Sequence, residues 1–177
     1  MSSEQSVPGD EQRPLTIAMV GPMGSGKTKI GRRLARDLDR PFIDTDQRIV
    51  AQHGEIAAIF ARVGEEGFRA IEREVVAQAL SEPAVVSLGG GSVLDADTRA
   101  TLRELPTIYL TVSERVVRGR LRGGKRPLVQ NDPDAWSRIF NERRALYEEV
   151  ASIRFDTSAG HITALGGKIA AWAKENS

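Results

Sequence analysis

Leu15-Thr16-Ile17-Ala18-Met19-Val20 runs directly into Gly21-Pro22-Met23-Gly24-Ser25-Gly26-Lys27-Thr28. The first six residues are a short apolar run of the kind that forms a buried strand. The next eight satisfy G-x-x-x-x-G-K-[ST] at every defined position. From Lys27 to Leu38, Ile30, Leu34 and Leu38 recur at helical spacing. Strand, glycine-rich loop and helix in that order form a phosphate loop. The glycines let the chain curl so that the backbone N–H groups of Gly24, Ser25 and Gly26 face phosphate oxygens, and the helix N-terminus adds partial positive charge. Lys27 is placed for the β- and γ-phosphates of a nucleotide, and the Thr28 hydroxyl for Mg²⁺. An ordinary glycine-rich corner would not match both motif and context. The motif fixes nucleotide binding and leaves the acceptor open.

Outward from this loop, helices and strands alternate. Pro41 to Ile43 is a second short strand. Asp46 to Gln52 and Glu55 to Val63 read as helices divided by Gly54, and Glu65 to Ser81 as a longer helix with Phe68, Ile71, Val75 and Ala79 at helical spacing. Ala84 to Leu88 is a third strand, Thr107 to Val112 a fourth and Ser152 to Phe155 a fifth. Helices are expected at Asp95 to Leu105, from Ser113, at Asp134 to Val150 and at His161 to Lys174. Such alternation implies parallel βαβ units in a three-layer α/β/α sandwich. Residues 1–14 read as a loose tail and 15–177 as one domain, with a loop-like insert at about 122–133.

Ligands of such sheets lie at the carboxyl ends of the strands. Four segments follow predicted strands there: Gly21 to Thr28, Asp44-Thr45-Asp46, Gly89-Gly90-Gly91, and Asp156. A carboxylate of the Asp-x-Asp pair can hold Mg²⁺ through water, and the other can orient or deprotonate an attacking hydroxyl. The same pair also suits a helix cap. Three consecutive glycines allow close approach of backbone to ligand. Arg69, Arg126 and Arg143 carry planar forks that match carboxylate or phosphate. Any one of them alone is more often a solvated surface charge. Together they point to a small, anionic acceptor.

Bulk properties restrict the alternatives. The chain has 177 residues, 40% hydrophobic and 28% charged, with a formal net charge of +1. That is enough for one core, and it supplies no global basic field for nucleic acid. No apolar run approaches the roughly 20 residues of a membrane span. There is no cysteine, which excludes disulfides and thiolate metal sites and fits a cytoplasmic location.

In combination these segments resemble the shikimate kinase family: GPMGSGKT at Gly21 to Thr28, FIDTD at Phe42 to Asp46, GEEGFRAIE at Gly64 to Glu72, SLGGGSV at Ser87 to Val93, RPL at Arg126 to Leu128, and ERRALYEEVA at Glu142 to Ala151. The resemblance implies the nucleoside monophosphate kinase-like P-loop fold with a five-stranded parallel sheet. It implies transfer of the γ-phosphoryl group of ATP to the 3-hydroxyl of shikimate, giving shikimate 3-phosphate and ADP, a step of chorismate and aromatic amino-acid biosynthesis. Asp46 would bind shikimate hydroxyls and act as base or orienting group. Arg69 and Arg143 would hold the carboxylate, and Gly90 would offer backbone to a ring hydroxyl. Asp44 would reach Mg²⁺ through water. Phe68, and Glu72 bonding Arg69, would shape and brace the pocket. Arg126 would arrive on a mobile lid, and either Arg120 or Arg122 would stack on adenine. A monomer with ATP and shikimate as its partners is expected. Two positions depart from the family pattern. Ala58 stands where a glutamate is common, and the lid is short, Arg122-Gly123-Gly124-Lys125 leading straight into Arg126. A gluconate-type sugar-acid kinase and a non-catalytic nucleotide-binding protein are the competing readings.

Overall fold

The computed structural model describes residues 16–121, 132, 134–159 and 162–177. The expected tail at 1–14 and nearly all of the expected lid, including Arg122 and Arg126, lie outside the described residues.

Five strands, β1 (Ile17–Val20), β2 (Phe42–Asp44), β3 (Val85–Ser87), β4 (Thr107–Thr111) and β5 (Ile153–Asp156), form one sheet in the order β2-β3-β1-β4-β5. Every pairing is parallel. A parallel sheet needs crossovers on its faces, and the helices supply them: α1 (Lys27–Asp37), α2 (Thr45–His53), α3 (Ile56–Leu80), α4 (Ala96–Glu104), α5 (Glu114–Leu121), α6 (Ala135–Val150) and α7 (Ile162–Asn176).

The central strand shows how the core is divided. Side chains alternate across a strand, so Ile17 and Met19 face one layer and Ala18 and Val20 the other. Ile17 and Met19 pack with Ile30 and Leu34 of α1 and with Ile169 and Ala173 of α7. Ala18 and Val20 pack with Val76 and Leu80 of α3, Leu102 of α4 and Tyr147 of α6. All four β1 residues are buried. Full burial of an apolar side chain of this size contributes about 1.5–3 kcal/mol.

Register brings the sequence's suspect segments together. Asp44 lies opposite Ser87, so the chain leaving β2 into Thr45-Asp46 and the chain leaving β3 into Gly89-Gly91 emerge side by side. β1 lies between β3 and β4, so its phosphate loop opens at the point where the crossovers diverge. A smaller apolar cluster of Ile49, Ile59, Phe68 and Val75 fastens α2 to α3. Gly64 interrupts α3 with φ 72° and ψ −176°. Nothing crowds its Cβ position, so the left-handed backbone is what calls for glycine there. The break re-aims the second half of α3, which carries Phe68, Arg69 and Glu72.

Candidate active site

α1 begins at Lys27 from a left-handed Gly26, with no side-chain cap and no acidic residue in its first turn. Uncapped first-turn amides at a helix N-terminus form an anion site. By contrast, α2 and α4 are capped by carboxylates, Asp44 accepting from the Gln47 amide and Asp95 from the Thr98 amide. Lys27 Nζ donates to the carbonyls of Gly21 and Pro22, at 2.7 and 3.1 Å, which lays its charge across the mouth of the loop.

Thr28 Oγ1 donates to Asp44 Oδ2 at 3.2 Å. The two oxygen groups expected near Mg²⁺ therefore sit together beside the loop. Asp44 also caps α2, so the cap that the pair suits is made by this residue while its other oxygen faces Thr28. Asp46 lies in the first turn of α2, and a Cβ built on Gly89 would stand 2.5 Å from its Oδ1. Thr45, fully buried between the two aspartates, accepts a 3.1 Å hydrogen bond from the Gly89 amide.

The triple glycine has a steric explanation. None of Gly89, Gly90 and Gly91 has positive φ, so a left-handed turn is not what demands them. A side chain at Gly89 would strike Asp46, and one at Gly91 would collide with the Arg69 guanidinium. Gly90 borders Arg143 Nη1 and the Tyr147 hydroxyl at ordinary contact distance. The turn is glycine because the side chains of Asp46 and Arg69 lie flat against it.

Arg69 is held on three sides. Its Nη1 donates to Glu72 Oε1 at 2.7 Å, Glu65 lies 3.7 Å from Nη2, and the guanidinium carbon stands 5.3 Å from the Phe68 ring centroid. Phe68 is itself buried, 4.6 Å from the Phe60 ring, and works from beneath the arginine. Arg69 Nε is buried with no acceptor among the described residues, an orphaned donor of the kind a bound anion satisfies. Burial raises the Glu72 carboxyl above its ordinary range, with Arg69 pulling it back down. Asp46 and Arg143 also act electrostatically on Glu72, so α2, α3 and α6 deliver their charges to one place. A cleft of about 530 Å³ opens beside them, lined by Arg69, Glu72, Arg73, Gly91, Ser92 and Asp95.

Arg120 does something the sequence could not show. It donates from Nη1 to the Gly24 carbonyl at 2.8 Å and from Nη2 to the Thr157 carbonyl at 2.7 Å. Thr157 Oγ1 in turn donates to the Ser25 carbonyl at 2.9 Å. Arg120 and Thr157 thus tie the phosphate loop to the end of β5. Asp156, suspected from its place after a strand, is instead exposed and accepts from the Ser158 amide in a local turn. Ala58 is exposed on the first half of α3. Thr45 and Tyr147 lie inside the segments that carry the resemblance, and Thr157 just beyond the fifth strand, yet none was singled out by residue type or spacing. Each makes its contact across at least 44 residues of chain.

The family model described as shikimate kinase matches residues 23–173. A shikimate kinase of Rhodococcus jostii is 46% identical over 146 residues, covering 78% of this chain and 86% of that protein. One of Streptomyces coelicolor is 44% identical over 140 residues, covering 77% and 82%. Among solved structures, shikimate kinase from Acinetobacter baumannii in complex with shikimate matches with a TM-score of 0.84 and 36% identity, over 94% of this chain and 96% of that one.

Proposed function

The chain belongs to the shikimate kinase family, and from that premise we propose how its residues move the γ-phosphoryl group of ATP to the 3-hydroxyl of shikimate, giving shikimate 3-phosphate and ADP. The convergence of Asp46, Arg69, Glu72 and Arg143 beside the glycine turn, next to an uncapped phosphate loop, carries this reading.

The amides of Gly24, Ser25 and Gly26 hold the nucleotide phosphates, and Lys27 sets its charge against the β- and γ-phosphates. Arg120, bonded to Gly24 and Thr157, is the arginine we place on the nucleotide side. Arg69 and Arg143 grip the acceptor's carboxylate through paired hydrogen bonds. Gly90 meets a ring hydroxyl with its backbone. Asp46 receives or orients the proton of the attacking hydroxyl. The oxygen then forms its bond to the γ-phosphorus as the bond to the ADP oxygen breaks. Such transfer is driven mainly by positioning and by electrostatic stabilisation of the equatorial oxygens. Arg126, outside the described residues, is assigned to those oxygens from the sequence.

Thr28 and Asp44 fit Mg²⁺, a hard cation that takes oxygen ligands. Among the described residues no group of three or more His, Cys, Asp or Glu is arranged for a metal. The ion we propose would therefore draw most of its ligands from phosphate and water. Held there by Thr28 and Asp44, Mg²⁺ would supply positive charge that offsets the charge of the nucleotide phosphates. Among the described residues no helix is long and apolar enough to cross a membrane. We propose a cytoplasmic monomer, as the family resemblance implies.

Coupled ADP release, measured with shikimate and with gluconate, tests the reading. We expect turnover with shikimate and little with gluconate. Equal turnover, or none with either, overturns it. A second expectation concerns the arginines. Arg69→Lys and Arg143→Lys keep the charge and lose the fork. Each should raise KM for shikimate roughly tenfold or more, the value of one charge-assisted hydrogen bond, with KM for ATP nearly unchanged. Equal damage to both constants would assign these arginines to the nucleotide or to the fold.

A further inference from the structure

The glycine turn has a hydrogen-bond ledger that nearly closes without a ligand. The Gly89 amide donates to Thr45 Oγ1. The Gly89 carbonyl accepts from the Ser92 amide at 3.0 Å, and the Gly91 carbonyl accepts from the Leu94 amide at 3.1 Å. The Gly90 carbonyl accepts from the Tyr147 hydroxyl at 2.6 Å. Among the described residues, the N–H groups of Gly90 and Gly91 are the backbone donors of this turn left without a protein acceptor. Backbone donors in such a place are normally satisfied, so a ligand or water completes them.

Tyr147 decides which way these donors point. A trans peptide sets its C=O and N–H on opposite sides. Holding the Gly90 carbonyl toward α6 therefore turns the Gly91 N–H away from it. Rotating that peptide would break the Tyr147 bond and present a carbonyl where a donor now stands. Tyr147 is buried at 1% exposure, with its ring against Tyr109 at a centroid distance of 5.4 Å, so the hydroxyl has little freedom to follow. It also lies one helical turn beyond Arg143, on the same face of α6. The Arg143 guanidinium faces the same phenolic oxygen. The single hydroxyl proton is committed to Gly90, so the lone pairs are what remain for Arg143. Burial pushes the hydroxyl pKa up to about 12, which keeps that proton in place throughout the neutral range.

We propose that Tyr147 is a positioning residue for the acceptor substrate, holding the Gly90–Gly91 peptide and the Arg143 fork in one fixed arrangement so that both meet the same molecule. This rests on the shikimate reading above. It extends the site by a residue that need not touch substrate itself.

Tyr147→Phe is the test, since it removes one oxygen and keeps the ring. Shikimate affinity is measured two ways, as KM in the coupled assay and as Kd by calorimetry without ATP. Both should weaken roughly three- to tenfold, the range that one hydrogen bond carries, while KM for ATP stays within about twofold. Val150→Ala, buried one turn further along α6, is the control for general loosening of the helix. It should lower Tm and leave shikimate affinity unchanged. If Tyr147→Phe lowers Tm while both shikimate constants match the wild type, or if it weakens ATP and shikimate equally, the tyrosine is only structural and the proposal falls. If wild-type protein neither binds nor phosphorylates shikimate, the functional reading fails first, and the proposal with it. These outcomes are separable within one experiment.

Discussion

Asp46→Asn should lower kcat by about 10²–10⁴-fold, the usual contribution of a positioned acid–base group, and should change ATP affinity little. Asparagine keeps the size and loses the proton-accepting charge. The structure also says why stability should barely move. The cap of α2 is made by Asp44, whose Oδ1 accepts from the Gln47 amide at 3.1 Å. Asp46 sits one step inside the first turn, where a negative charge contributes only about 0.3–1 kcal/mol through the helix dipole. Asp44→Asn is the informative companion. It removes the charge that faces Thr28 and leaves an amide oxygen that still caps the helix, so turnover should fall while stability changes little. Melting curves and initial rates on the two variants decide the assignment. An Asp46→Asn enzyme with kcat within tenfold of wild type would remove this residue from the chemical step.

Lys27→Ala is expected to reduce kcat by roughly 10²–10³-fold or more, as when a preorganised group is lost at developing charge. Lys27 Nζ is held by the carbonyls of Gly21 and Pro22, so the ammonium is already fixed over the loop rather than free to sample solvent. That fixation is the preorganisation. The fold should survive. The loop keeps its other ties, from the Thr157 hydroxyl to the Ser25 carbonyl, from Arg120 to the Gly24 carbonyl, and from Trp136 Nε1 to the Met23 carbonyl at 2.8 Å. Circular dichroism and Tm near wild type, with turnover lost, is the expected pair of results. Retained turnover would show that the loop binds nucleotide without serving catalysis.

The phosphate loop, the five strands and the break at Gly64 were legible in the sequence because each depends on near neighbours. Ile17 to Val20 form a strand through local apolar patterning, and Lys27 starts a helix next to a glycine that tolerates left-handed backbone. Asp44 and Asp46 were suspect for the same local reason, their place after a strand. A cap and a ligand require the same short acidic side chain there, so the sequence could not divide the roles. The tertiary structure separates their surroundings: Asp44 caps α2 and faces Thr28, and Asp46 lies flat on Gly89.

Local pattern alone specifies the α/β class, the phosphate loop and a set of arginines without a common address. Tertiary packing sets which of them meet. Arg69 and Arg143 stand 74 positions apart in the chain, yet α3 and α6 bring both to Glu72 and the glycine turn. It also gives the triple glycine a steric reason, as a surface against which Asp46 and Arg69 press, where the sequence promised only close approach of backbone to a ligand. Residue type and spacing report dihedral preference and periodicity. They carry no record of which distant side chain arrives on top, because that follows from sheet order and helix packing across the whole domain.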